Sequence, residues 1–174
     1  MKKILALVLA LVLGVSMVAC GEKTAEMAHL EGTMEENALK IMEIAPVEFM
    51  GGIMPVDLGD TSEDGKWALS YFTGLQDASA ITDVAVYEPM MGSQAFSMVM
   101  VRTAEGADPK AVAEEMKSNI DPRKWICVGA DEIMAAGYGD TVMFIMLDSQ
   151  LGLSAQSYVD AFQQVAGAEL DFTI

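Results

Sequence analysis

The run Thr141–Leu147 is apolar on both of its faces, and this constrains the fold more than any other feature of the chain. In an extended strand alternate side chains point to opposite sides. Thr141, Met143, Ile145 and Leu147 therefore line one face, and Val142, Phe144 and Met146 the other. Residues 95–101 behave in the same way. A sheet built on such strands has no face suited to water. Each face must be covered, by other parts of the chain or by a partner, because exposed apolar surface of that extent marks a binding site.

The elements available for covering follow from capping and periodicity. Thr33 and Glu36 have the spacing of a capping box, which predicts a helix from Thr33; Met34, Leu39, Ile41, Met42 and Ala45 give it an apolar stripe, and Pro46 stops it. Residues 46–55, with their Gly-Gly and two prolines, and the acidic residues 57–65 read as a loop-rich connection. Residues 67–72 read as a short helix or turn. Residues 81–88 and 95–103 are β-runs joined across residues 89–93, the pattern of a hairpin with a loop of several residues. Asp108-Pro109 opens a helix, since the Asp oxygen accepts free amides and proline needs no donor at the first position; Val112, Met116 and Ile120 form its stripe. Residues 125–128 and Thr141–Leu147 are two further β-runs, separated by a segment that ends in Gly137, Tyr138, Gly139 and Asp140. Ser154 opens a last helix with Tyr158, Phe162 and Val165 inward, ended by Gly167.

Hairpin pairs followed by helices predict an α+β domain over residues 33–174, with two layers: an antiparallel sheet of about four strands and helices packed mainly on one face. The second face then needs a cover. Two are available: residues 46–55 folded back over the sheet, or a partner protein that meets Phe96, Met98, Met100, Phe144 and Met146.

Residues 1–19 carry a different kind of information. Lys2 and Lys3 precede an apolar run, and Met17, Val18, Ala19, Cys20 and Gly21 close it with mostly small residues. Roughly fifteen apolar residues fall short of the about 20 that a spanning helix requires. The segment resembles a bacterial lipobox, with Met17 where leucine is preferred. That resemblance implies a diacylglyceryl group on Cys20, which becomes the first mature residue. Two acyl chains make a stable anchor where one does not. The expected protein is a domain on the outer face of the cytoplasmic membrane, tethered by residues 20–32. With Cys20 lipidated, Cys127 has no intramolecular partner, so no disulfide framework forms.

The formal net charge of −16 becomes about −18 once Lys2 and Lys3 are removed with the signal. Such a body repels phosphate backbones, which excludes a nucleic-acid partner, and it repels anionic lipid headgroups. The acyl anchor must do the membrane work alone.

Catalytic groups are sparse. His29 is the only histidine and falls in the expected tether, so neither a Ser-His-Asp arrangement nor a histidine-built zinc site is available to the domain. Cys127 lies in an apolar run without a CxxC partner and reads as a buried, inert thiol. The adjacent pairs Glu114-Glu115 and Asp131-Glu132 read as solvated charge rather than as acid and base. Asp57, Asp60, Glu63 and Asp64 gather oxygen ligands in one loop, as a calcium site does, but without the alternating spacing of a calcium-binding loop. Met98 and Met100 share a strand face, and thioethers are soft ligands for Cu(I), yet core packing explains them without a metal. No motif calls for a cofactor.

From residues 68–75, with Tyr71, Phe72, Thr73, Gly74 and Leu75 as the most specific stretch, through the hairpin and the Asp108 helix to residue 148, the chain resembles a domain-of-unknown-function family of small lipoproteins in Gram-positive bacteria. The resemblance covers roughly the C-terminal two thirds and implies surface location and fold, with no site residues to carry over. The function expected from all of this is a non-enzymatic binding or scaffold module for a cell-envelope partner. The alternative is a metal-ion or small-solute binder working through acidic or methionine side chains.

Overall fold

The computed structural model describes residues 27–174. Cys20 and the signal segment lie outside the described residues. Four helices, α1 (Met34–Ile44), α2 (Glu63–Thr73), α3 (Pro109–Asn119) and α4 (Ala155–Ala166), alternate irregularly with six strands among the described residues. The strands are β1 (Gly51–Met54), β2 (Ile81–Pro89), β3 (Phe96–Thr103), β4 (Glu132–Tyr138), β5 (Thr141–Leu147) and β6 (Phe172–Thr173). They form one antiparallel sheet in the order β1-β2-β3-β5-β4-β6. No helix among the described residues is long and apolar enough to cross a membrane.

The α+β class and the antiparallel sheet agree with the sequence reading; the strand count and the layering differ. Register pairs Met98 with Ile145, Val99 with Phe144 and Met100 with Met143, so like-facing residues meet across β3 and β5. Phe96, Met98, Met100, Met143, Ile145 and Leu147 pack under α1 and α4. Val99, Val101, Val142, Phe144 and Met146 pack under α2 and α3. Two helices therefore cover each face, in three layers rather than two. Every residue of β5 is buried as a result.

Residues 46–55 do not form the cover of a second face: Val47 and Phe49 pack on the same side as α1 and α4, the Phe49 ring edge-on to Phe96 at 5.3 Å. Their Gly51–Met54 portion extends the sheet as the edge strand β1, with Gly52 opposite Glu88 and Ile53 opposite Tyr87. The expected strand at residues 125–128 is also displaced. Trp125 is buried there, but Ile126 and Cys127 are exposed, and Cys127 has φ of +63°, outside the extended region. The strand forms instead at β4, whose Ala-Ala-Gly centre has little β-propensity of its own. Position explains it: Ala135 lies opposite Phe144 and Ala136 opposite Met143, small against large. A Cβ on Gly137 would overlap the Phe172 ring as it lies here, so glycine lets that ring pack over β4 where β6 closes the edge.

Helix ends are mostly as the sequence predicts. The Thr33–Glu36 capping box forms, Asp108 accepts from the Lys110 amide, and α2 is longer than expected because Ser62 caps it. Ser154 makes no side-chain cap for α4; Glu132 of β4 accepts from the Ala155 amide at 2.7 Å instead.

Candidate functional site

The two ends of the sheet are chemically distinct. Strands β2 and β5 run from the end where the chain arrives at residue 28 to the far end, and β3 and β4 run back. Seven to nine residues at about 3.3 Å each separate the ends by roughly 25 Å.

At the arrival end, the segment from Ala28 is part of the fold rather than a free tether. Ala28 carbonyl oxygen accepts from the Asp140 amide at 3.0 Å. Arg102 donates to the carbonyls of Leu30 and Gly32 at 2.8 and 2.7 Å. His29 Nδ1 is 2.7 Å from Asp140 Oδ2, and Arg102 faces the same ring. Arg102 Nη1 is close to both ring nitrogens, so the ring lies between the guanidinium and the Asp140 carboxylate. The β4–β5 turn accommodates this only because residue 139 is glycine: its φ is +54°, and a Cβ would overlap the Ala28 carbonyl. Among the described residues no Ser, Thr or Cys side chain is hydrogen-bonded to His29. The group fastens the chain and is not a nucleophile–base arrangement.

At the far end the four most exposed large hydrophobic side chains of the described residues come together: Met50 at 75%, Ile126 at 72%, Met90 at 69% and Met91 at 63%. The Met90 amide donates to Met50 at 2.9 Å, which joins the start of β1 to the end of β2. The Ile126 amide donates to Gly92 at 2.7 Å, and the Ile126 side chain lies against Gly92. Cys127, expected to be buried, is exposed beside them and faces an open hollow of about 580 Å³ with Arg123, Trp125 and Asp131.

A buried ion pair lies beneath this surface. Lys124 Nζ is 2.5 Å from Glu88 Oε1, with side-chain exposures of 2% and 8%. The ammonium also lies 4.8 Å from the Tyr71 ring centroid, 5.4 Å from Phe72 and 5.5 Å from Trp125, and it donates to the Tyr71 carbonyl. Burial pushes the Lys124 amine below the ordinary lysine range, opposed by the charges of Glu88 and Asp121. Glu88 leads directly to Met90 and Met91, and Lys124 to Ile126, so the pair holds the two exposed loops in place. Trp67 of α2, itself exposed, stacks on Tyr71 at 4.7 Å.

The residues singled out from the sequence occupy other places. Phe96, Met98, Met100, Phe144 and Met146 are fully buried beneath the chain's own helices, so no partner reaches them in the folded domain. Asp57 and Asp60 accept from the Gly59 and Ser62 amides, Glu63 pairs with Lys66, and Asp64 lies in the first turn of α2; these carboxylates shape one turn and one helix start. The Ser62 hydrogen bonds hold Asp60 below the usual carboxylate range. Among the described residues no three His, Cys, Asp or Glu side chains gather as a metal site. Asp131 accepts from Ser149 twice at 2.7 Å and Glu132 caps α4, so that adjacent pair is structural too. The far-end methionines had one sequence signal: Met90-Met91 occupies a hairpin loop, where Gly, Asn, Asp or Ser is the usual choice.

Comparison of the chain with protein-family models, with curated proteins and with solved structures gives no match in any of the three. The fold and the two ends thus define the chain by architecture: an α+β domain of three layers, fastened at one end and apolar at the other.

Proposed function

We propose that this chain is a lipid-anchored, non-enzymatic binding module on the outer face of a bacterial cytoplasmic membrane, which presents its far end to a cell-envelope protein. One observation carries the reading: the four most exposed hydrophobic side chains lie at the end of the sheet opposite the point where the chain from Cys20 reaches the body. An anchor at one end turns the other toward the envelope. A patch of Met and Ile suits an apolar contact that re-packs around its partner. The net charge of −16 on the whole chain favours a partner with a cationic rim and opposes a second copy of the same acidic body.

Site-specific photo-cross-linking in host membranes tests the reading. A cross-linker at Met91 should yield one dominant protein adduct, and a cross-linker at the exposed Ser79, beside the start of β2 at the arrival end, should not. Equal adducts from both positions, or none from Met91, would overturn it. The anchor is tested separately: Cys20→Ala should remove the acyl chains and leave the chain uncleaved at the membrane or released, and unchanged processing with unchanged detergent partitioning would overturn the anchor.

A further inference from the structure

We propose that Met50, Met90 and Met91 form an oxidant-sensitive modification site, which a peroxide converts from an apolar surface to a polar one. The proposal rests on the far end being the binding surface, and its test separates the two.

The fifteen methionines of this chain are not equivalent. Met34, Met98, Met100, Met116, Met143 and Met146 are fully buried, and Met42 nearly so. Met54 and Met134 are half-buried within strands. Met27 is half exposed at the arrival end. Among the described residues only Met50, Met90 and Met91 combine high exposure with a shared location, the first two tied by the amide-to-carbonyl bond between their backbones.

Oxidation of a thioether depends on access to its sulfur lone pair. That pair attacks one oxygen of the peroxide: an S–O bond forms, the O–O bond breaks, and the departing hydroxide takes the remaining proton to become water. Sulfur loses two electrons and the peroxide gains them. The product sulfoxide is polar and chiral, and reductases can reverse it. Leucine or isoleucine would make an equally apolar surface without this chemistry. Ile126, at the same end, remains unchanged by peroxide. Cys127 is exposed close by and competes for oxidant, so the measurement uses the Cys127→Ala background.

The experiment treats the full-length, membrane-bound Cys127→Ala chain with graded hydrogen peroxide and maps methionine oxidation by peptide mass spectrometry. A photo-cross-linker at Ile126 reports partner contact in the same membranes. Met50, Met90 and Met91 should oxidise about tenfold faster than Met98, Met100 and Met143, and the Ile126 cross-link should fall several-fold. Met50→Leu/Met90→Leu/Met91→Leu should keep the cross-link after treatment. Comparable oxidation of core and far-end methionines overturns the modification site. Selective oxidation with an unchanged cross-link overturns the switch. Absence of any cross-link before treatment overturns the binding reading and the switch with it, while the oxidation map still decides the site.

Discussion

The arrival end and the far end of the sheet solve opposite problems with charged groups. At the arrival end, partly in contact with water, Arg102 donates to the Leu30 and Gly32 carbonyls, the Asp140 amide donates to the Ala28 carbonyl, and the His29 ring meets the Asp140 carboxylate, so that an otherwise featureless segment becomes part of the domain. At the far end the Glu88 and Lys124 side chains are almost entirely taken out of water, while Met50, Met90, Met91 and Ile126 are left in it. Polar groups inside and apolar groups outside is the reverse of the usual distribution. A fold with no use for that end would gain from exchanging them. The inversion is the observation behind the proposal that the far end is a working surface.

If that contrast is right, its largest energetic consequence lies in the buried pair. Lys124→Ala leaves Glu88 buried and unpaired and should cost about 3–5 kcal/mol, read as a lowered midpoint in chemical denaturation. The double change Glu88→Met/Lys124→Met should recover most of that loss, since apolar replacement of a whole buried pair is often neutral or stabilising. Failure of the double variant to recover would mean the aromatic surroundings need the ammonium itself.

Arg102→Ala probes the other end. Two backbone carbonyls lose their donor, one of them partly buried, and the expected cost is about 1–3 kcal/mol. The loss should be local: amide hydrogen exchange should accelerate across residues 28–32 and leave β3 and β5 protected. Global acceleration would show that the attachment supports the whole core.

A third measurement uses pH. The Tyr158 hydroxyl is buried without a partner, and desolvation, helped by Tyr87, pushes its pKa up to about 12. Because the folded value is raised, the associated stability is fully present below the ordinary tyrosine range near 10 and is lost as pH rises toward about 12. Tyr158→Phe should flatten that part of the alkaline stability profile. An unchanged profile would place the alkaline loss elsewhere, with Tyr71 and Tyr87 the next groups to test, since burial raises both.

The smallest effect on stability should come from the surface proposed to matter most for binding. Met90→Ser/Met91→Ser removes no packed contact and should change unfolding free energy by no more than about 0.5 kcal/mol, while reducing hydrophobic-dye binding at the far end. By contrast Phe144→Ala, a change in the core, should cost about 3–5 kcal/mol. A destabilisation of the methionine variant comparable to that of Phe144→Ala would mean the far end is packed, not presented.

Much of the fold is legible along the chain. The Thr33–Glu36 box, Asp108-Pro109, the Val112–Met116–Ile120 stripe and the runs that became β2, β3 and β5 depend only on near neighbours in the sequence, and here the tertiary context agrees with those local preferences. The double-sided apolar character of β5 likewise required two covered faces, and the folded chain has them. What covers each face was not legible. An amphipathic stripe states that a helix is buried along one side and carries no information on which side of a sheet it takes.

The candidate site divides along the same line. The sequence by itself determined the acidic character, the shortage of catalytic side chains, the capped helices and the apolar strands, because composition and short-range spacing are properties of the chain whatever its shape. Tertiary structure alone decided that Ala135, Ala136 and Gly137 form a strand, because their partners are Phe144, Met143 and Phe172. It alone decided that Phe96 and Phe144 are sealed under helices, and that Cys127 faces water. It alone brought Met50, Met90 and Ile126 to one end and set Glu88 against Lys124 beneath them. Residue 50 and residue 126 share no local pattern, and only strand register and loop closure over long separations bring them together, which is information that no window along the sequence contains.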